Sequence, residues 1–300
     1  MNHVPRVAII VLTYNQENET ARCLASLEAL SYPDAELLVV DNGSKKSAAS
    51  VLSRRFPKAE WRTLPRNIGF AAGCNEGIRW GLEQGVDAFL LLNNDTVVDS
   101  DLLQKLVERS AAADPPAIVG AAVYPLENPN RPFMAGMRFD FWTARVIRLA
   151  APKAARPMPS VSGSCFLIPK RCLETIGLLD ERFFIYFEET DFCYRARRNR
   201  IKVLCEPQAR VSHQGGVTFG LGSPAFRYLY TRNRLLFISK HCPLLLRPWS
   251  FCVRTLEDLA LLVISFLRGR TRVSQAIFCG TVDYWKGRFG KGRLDQFFHE

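Results

Sequence analysis

Leu90-Leu91-Leu92-Asn93-Asn94-Asp95-Thr96 is the stretch from which the fold can be read. The apolar run Ala88 to Leu92 passes directly into three polar side chains. Such a run reads as a strand buried on both faces, ending at its carboxyl edge in a cluster of oxygen ligands. Ligands of open α/β sheets bind at that edge. An Asp placed there can hold a hard divalent cation, which in turn can hold a diphosphate. A strand followed by an Asp that caps the next helix explains the same residues, so the rest of the chain has to decide.

Upstream, the same grammar recurs. Val7 to Leu12 reads as a buried strand ending in Thr13-Tyr14-Asn15, and a helix over Glu19–Leu30 follows, with Leu24, Leu27 and Leu30 on one face. Glu36 to Val40 reads as the next strand and ends in Asp41-Asn42-Gly43-Ser44, where Asn-Gly predicts a tight turn. After a helix over Ala48–Phe56, a short strand near Trp61–Leu64 reaches Arg66-Asn67-Ile68-Gly69, and a helix runs through Glu76–Gln84. This β-α-β-α-β-α-β rhythm argues a parallel, doubly wound sheet. Thr13 and Asn15, Asp41, Arg66 and Asn67, and Asp95 then converge on one crevice. There an Asp can accept from the N3–H of a pyrimidine base and Arg66 can neutralise phosphate. Asp41 and Asn42 also suit simple turn-shaping. Neither G-x-G-x-x-G after the first strand nor a P-loop is present. Gly69, Gly73 and Gly77 have helix spacing, consistent with close packing or a phosphate-facing helix start.

Further along, the sequence predicts a helix over Asp101–Ala112 capped by Ser100, a strand over Ile118–Val123, and a loop or β-ribbon on the acceptor side between Leu126 and Pro159. Val161-Ser162-Gly163-Ser164 then feeds a strand. Phe183-Phe184-Ile185-Tyr186-Phe187-Glu188-Glu189-Thr190-Asp191 crowds three carboxylates behind an aromatic wall. Like charges raise one another's pKa, which suits a general base. Acids also favour the first turn of a helix, here expected over Thr190–Arg200 and followed by a strand over Ile201–Glu206. Next, His213-Gln214-Gly215-Gly216 offers an imidazole beside flexible backbone donors, able to meet a metal or a phosphate.

Composition sets the class. An apolar content of 48% over 300 residues supports a full core. The nine cysteines are scattered, with no C-x-x-C pair or zinc spacing, which predicts reduced thiols in a cytosolic protein. Residues 1–6 lead into the first strand with no cleavable small-residue site, so no signal peptide is expected. The formal charge of +11 is uneven: residues 1–100 carry a net of −2 and residues 195–300 a net of +13. Basic residues there alternate with Trp, Phe and Leu, which favours a membrane surface over nucleic acid.

In this order, the motifs Val11–Asn15, Val40–Ser44, Arg66–Ala71, Leu91–Thr96, Phe183–Cys193, His213–Gly216 and Arg227–Arg234 resemble those of inverting family 2 glycosyltransferases, above all bacterial rhamnosyltransferase-like members. The resemblance implies a GT-A fold: a Rossmann-like, mostly parallel sheet flanked by helices over residues 1–240, with a C-terminal helical appendage over 241–300. It implies that Thr13, Asn15, Asp41, Arg66, Asn67, Asn93 and Asn94 hold a nucleotide-sugar such as dTDP-rhamnose or a UDP-sugar. Asp95 and His213 would bind Mg2+ or Mn2+. Glu189 would be the general base, with Glu188 and Asp191 positioning it, and the acceptor a glycan or lipid-linked hydroxyl in surface polysaccharide synthesis. One departure stands out: the family's D-x-D is Asn93-Asn94-Asp95, with a single metal carboxylate.

The apolar run Leu259 to Leu267 is too short to span a bilayer. Amphipathic helices peripheral on the cytoplasmic face of the membrane are the expected form, with packing on the core or on a second copy in a homodimer as the other. Two readings of a different kind are a sugar nucleotidyltransferase, which would want a Gly-rich basic loop after the first strand, and a non-catalytic nucleotide-sugar-binding protein.

Overall fold

The computed structural model describes residues 4–128, 132–214 and 220–298. The alternating rhythm is present as β1 (Val7–Thr13), α1 (Glu17–Leu27), β2 (Ala35–Asp41), α2 (Ala48–Leu52), β3 (Glu60–Thr63), α3 (Phe70–Gln84) and β4 (Ala88–Asn93). These strands lie in the order β3-β2-β1-β4, all parallel. Then follow β5 (Thr96–Val98), α4 (Leu102–Ala111), β6 (Ile118–Pro125), β7 (Gly136–Asp140), β8 (Arg145–Leu149), β9 (Arg156–Pro157), β10 (Cys165–Pro169), α5 (Lys170–Ile176), α6 (Glu188–Arg198) and β11 (Val203–His213). The sheet continues through β10, β6, β11 and β5, with β9 also on β11. β10 runs antiparallel to both β4 and β6, whereas β11 is parallel to β6. β7 and β8 form a separate antiparallel ribbon, as expected between residues 126 and 159.

Alternation along β1 explains why the sheet is buried on both faces. Val7, Ile9 and Val11 pack with Leu24 and Leu27 of α1 and Leu102, Leu103 and Leu106 of α4. Ala8, Ile10 and Leu12 point the other way, onto Ala71, Cys74 and Ile78 of α3 and Phe192 and Ala196 of α6. Each large apolar side chain removed from water in this way stabilises the fold by roughly 1.5–3 kcal/mol. The glycines of α3 set the spacing between helix and sheet. A β-carbon at Gly73 or Gly77 would overlap Leu12 or Ile10, so of the two readings of this repeat the packing one accounts for Gly73 and Gly77.

Several expected boundaries move. α3 begins at Phe70 rather than Glu76, because the glycines form the packed face of its first turns. α4 is preceded by Asp101, not Ser100, and no side chain caps it. α6 begins at Glu188, two residues before the expected Thr190, which brings Glu188 and Glu189 into its first turn. β11 runs on past Glu206 to His213 through an irregularity between Glu206 and Arg210.

The C-terminal third is helical: α7 (Pro224–His241), α8 (Arg247–Leu267) and α9 (Thr271–Trp285). α9 lies along α7 and α8 packs on both. α8 is inverted relative to an ordinary surface helix. It buries Ser250, Arg254, Asp258 and Ser265 and turns Leu256, Leu259, Val263, Ile264, Phe266 and Leu267 outward. No described helix is long and apolar enough to cross a membrane. All nine cysteines are free thiols, and Cys252 is exposed.

Candidate active site

The ends of β1, β2 and β4 meet at one edge, and their polar residues are tied together. The Asn94 amide donates to the hydroxyls of Thr20 (3.0 Å) and Thr13 (3.3 Å), which lie 2.7 Å apart. Asn15, in the left-handed region at φ 53°, accepts from Lys45 N (2.8 Å), and its own N–H donates to Ser44 Oγ (2.9 Å). Asp41 is completely buried. Its two oxygens accept from Ser44 N (2.9 Å) and Ala48 N (2.7 Å), so it shapes the turn into α2 and no part of it reaches the crevice surface. Base recognition by Asp41 therefore has no exposed atom to work with; the turn-shaping reading describes what it does in this conformation.

Asn42, read from the sequence only as a turn-shaping neighbour of Asp41, does more. It accepts from Ile68 N (3.0 Å) and donates to Asn67 Oδ1 (3.2 Å) and Gly69 O (3.1 Å), fixing the loop between β3 and α3. Asn67 also accepts from Gly69 N (2.9 Å). Arg66 is exposed on this loop and its backbone lies against Gly43. A pocket opens here, lined by Thr13, Tyr14, Asn42, Asn67, Phe70 and Phe184 among others. Thr20 too was missed, because its hydroxyl belongs to a helix that lies over the end of β1.

Asp95 and His213 are brought together from two motifs far apart in the sequence. His213 Nε2 is 3.0 Å from Asp95 Oδ1 and 3.5 Å from Asn93 Nδ2. Among the described residues, Asn93 Oδ1 is buried with no hydrogen-bond partner. Also among the described residues, no group of three His, Cys, Asp or Glu side chains is arranged for a metal. Gly215 and Gly216 lie outside the described residues. Because β10 is antiparallel, the loop that precedes it, not one that follows, arrives at this edge. Ser164 O accepts from Asn93 N (2.9 Å) and Ser164 Oγ is 3.4 Å from His213 Nδ1.

Glu189 packs its side chain against Gly163 of that same loop. Glu188 and Glu189 are both buried, in the first turn of α6. Burial pushes the Glu189 carboxyl up against the pull of helix N–H groups and the Thr190 hydroxyl. Burial and then the charge of Glu189 push Glu188 well up. Among the described residues, Glu188 Oε2 has no partner.

Asp191 behaves differently. It is completely buried, and burial alone would raise it, but the His241 hydrogen bond (2.7 Å), Lys240 (2.5 Å) and Arg195 (2.8 Å) hold it below the usual carboxylate range. Its oxygens are taken by α6 and the end of α7. Asp191 thus ties α6, the helix that carries Glu189, to the end of α7.

The segment that carries Glu188 and Glu189 is strained. Phe184, Tyr186 and Phe187 all have φ between 66° and 77°, which costs non-glycine residues about 1–3 kcal/mol each. Asn233, fully buried on α7, offsets this by donating to Phe183 O (2.7 Å), Ile185 O (2.8 Å) and Tyr186 O (3.1 Å). The Nε of the buried Arg232 donates to Asn233 Oδ1 (3.1 Å) and so fixes which way that amide points. The Arg227–Arg234 tract singled out in the sequence thus contains the clamp for the acidic turn.

A doubly wound, mostly parallel sheet flanked by helices, with polar residues gathered at its carboxyl edge, has the architecture of the GT-A glycosyltransferases. Over residues 5–227 the chain matches Glycosyltransferase like family 2, and it belongs to that family. It is 25% identical to the dTDP-rhamnosyl transferase RfbF of Shigella flexneri over 95% of this chain and 97% of that protein. It is 22% identical to an N-acetylglucosaminyl-diphospho-decaprenol L-rhamnosyltransferase of Mycobacterium tuberculosis over 77% of this chain and 83% of that one. The fold is shared with the mannosyltransferase PcManGT of Pyrobaculum calidifontis, solved in complex with GDP-Man and Mn2+, at TM-score 0.62 and 15% identity over 96% of this chain and 89% of that chain.

Proposed function

We propose that this family 2 enzyme transfers a sugar, rhamnose from dTDP-rhamnose first among the candidates, to a hydroxyl of a glycan or lipid-linked acceptor in a single inverting displacement. What supports it most is an alignment along one edge: Asp95 against His213, His213 against Ser164, and Glu189 against the adjoining Gly163. The leaving diphosphate and the attacking hydroxyl then have neighbouring places on one crevice. The pocket at Thr13, Tyr14, Asn42 and Asn67 takes the base and ribose, with Asn15, Asn94 and the Asp41 turn holding its walls and Arg66 at its rim. Glu189 accepts the proton of the acceptor hydroxyl as that oxygen bonds to the anomeric carbon, whose bond to the phosphate oxygen breaks with its electron pair. Burial, with the charge of Asp191, keeps the proton affinity of Glu189 high.

The oxygens of Asp95 and Asn93 suit Mg2+ or Mn2+, the His213 imidazole beside them favours the softer Mn2+ of the two, and the unpartnered, buried Asn93 Oδ1 fits such an ion. When bound, the ion would neutralise charge on the leaving diphosphate. With one carboxylate in the set, the donor's phosphates would complete its shell. Release of nucleoside diphosphate from a panel of nucleotide-sugars, with and without Mn2+, tests this reading. The expected outcome is release from one donor that depends on acceptor and is lost in Glu189→Gln; no release from any donor would overturn it.

The outward apolar face of α8, with exposed Trp142 and Trp249 nearby and Arg268, Arg270 and Arg272 beyond its end, suits a membrane surface carrying anionic lipid. Co-sedimentation with anionic vesicles, abolished by Leu259→Glu with Phe266→Glu, is the expected result. A stable dimer in solution that these substitutions dissociate would assign the face to a second copy instead.

A further inference from the structure

α7 carries an unusual arrangement on the face nearest Glu189. Arg227, Tyr230 and Arg234 recur at helical spacing and therefore share one side of the helix. The Arg234 guanidinium lies 4.5 Å from the centre of the Tyr230 ring and Arg227 lies 5.8 Å from that of Phe226, while Phe226 and Tyr230 stack at 4.9 Å. Tyr230 in turn packs on Phe187 at 5.2 Å, the residue immediately before Glu188 and Glu189. A third guanidinium comes from the ribbon. Arg148 of β8 is two residues from Val146, hence on the same face of the ribbon, and Val146 packs into the cluster that holds Phe187 and Tyr230. Burial pushes the Tyr230 hydroxyl up, and Arg254, Arg148 and Arg227 pull against it, with the Glu189 charge also felt there.

These arginines do not have the same freedom. Arg254 is buried and spent on Asp258 (2.5 Å) and Glu257 (2.8 Å). Arg148, Arg227 and Arg234 have no acid within ion-pair distance among the described residues, and Arg234 Nε is buried without a hydrogen-bond partner. Three guanidinium groups without an acid partner, Arg234 over Tyr230, Arg227 over Phe226 and Arg148 over Phe133 (5.1 Å) with its charge felt at Tyr230, attract an anion with several oxygens, and arginine's fixed fork suits phosphate. α8, which contributes Arg254 to this cluster, presents the outward apolar face on its other side, and a helix is only about 10 Å across. A charged head with an apolar tail therefore matches both surfaces.

We propose that Arg148, Arg227 and Arg234 form an anion subsite on the acceptor side of Glu189, which takes the diphosphate of a lipid-linked sugar acceptor. The assignment rests on the acceptor reading given above, and it makes the phosphate of the acceptor a recognition element distinct from the phosphates of the donor. Farnesyl diphosphate and farnesol serve as probes, with binding to the full chain followed by calorimetry in saturating UDP or dTDP so that donor-side phosphate contacts are already filled. The expected result is that the diphosphate binds at least about tenfold more tightly than the alcohol, and that Arg227→Gln with Arg234→Gln removes the difference while Arg234→Lys keeps part of it. Arg148→Gln, at an exposed position, repeats the test should the pair of substitutions on α7 unfold the chain. Displacement of farnesyl diphosphate by the nucleotide overturns the proposal. So does wild-type affinity in the variants, including the case in which they lose only retention on phosphatidylglycerol vesicles, which would assign the arginines to lipid headgroups. Since no transfer is measured, a silent donor panel would count against the proposed reaction and leave this result standing.

Discussion

The strand-end half of the crevice and the α6–α8 half are built on opposite principles. At the ends of β1, β2 and β4, the Asn94 amide and the Thr13 and Thr20 hydroxyls satisfy one another at short range, the carboxylate of Asp41 is satisfied by backbone N–H groups, and among the described residues Asn93 Oδ1 is left open. Around α6, α7 and α8 the groups are charged and unevenly satisfied: Asp191 has two cationic partners, Arg195 and Lys240, and a hydrogen bond with the His241 imidazole, while Glu188 Oε2 and Arg234 Nε have none among the described residues. The first half is a cradle whose shape is set before anything binds. The second concentrates unsatisfied charge where an acceptor would lose its proton, which is where perturbed groups are useful.

The contrast is most sharply broken at Glu189. Glu189→Gln keeps the size and packing against Gly163 but removes the base, and transfer is expected to slow by about 10²–10⁴-fold with donor affinity unchanged; near-normal turnover in single-turnover kinetics would remove Glu189 from the reaction. Asp191→Asn should leave donor binding alone and destabilise the fold by about 3 kcal/mol, because Arg195 and Lys240 lose a buried counter-charge. Denaturant midpoints measure this, and an unchanged midpoint would show that the node is dispensable. Since Asp191 is held below its ordinary value, its contribution is present above the usual carboxylate range and disappears as pH falls through the lowered value.

Glu188 has the opposite sign. Its carboxyl is held above its ordinary value, so the stability it permits is full in acid and is lost as pH rises through the raised value. Glu188→Gln is accordingly expected to raise the Tm at about pH 8 and to change it little at about pH 4. Equal shifts at both pH values would mean that ionisation of Glu188 is not the cause. The smallest effect belongs to the cradle: Thr20→Val removes one hydroxyl from the Asn94–Thr13 network, for about 1 kcal/mol in stability and a modest rise in donor KM.

Much of this was legible in the chain because parallel strands announce themselves: β1, β2 and β4 are apolar runs with polar ends, and each was placed within a residue or two. Residues whose part depends on a distant element were not. Thr20 and Asn42 act through contacts across the crevice, and Ser164 reaches it through an antiparallel strand that no local pattern marks. The acids of α6 read alike in sequence, yet Asp191 points to the end of α7 and Glu189 to the loop before β10, a distinction made by the helix starting at Glu188. The helix spacing of Gly73 and Gly77 was visible, but the start of α3 at Phe70 was not, because it depends on the packing of those glycines against β1.

The strained segment from Phe183 to Phe187 has a thermodynamic consequence. On one side Phe184 O accepts from Ala71 N (3.1 Å) in the first turn of α3; on the other, Asn233 holds the neighbouring carbonyls from α7. A peptide anchored in both halves cannot be displaced by one substrate without altering the free energy available to the other. Linkage then requires the coupling to be reciprocal: whatever factor a bound nucleotide contributes to acceptor affinity, the acceptor returns to the nucleotide.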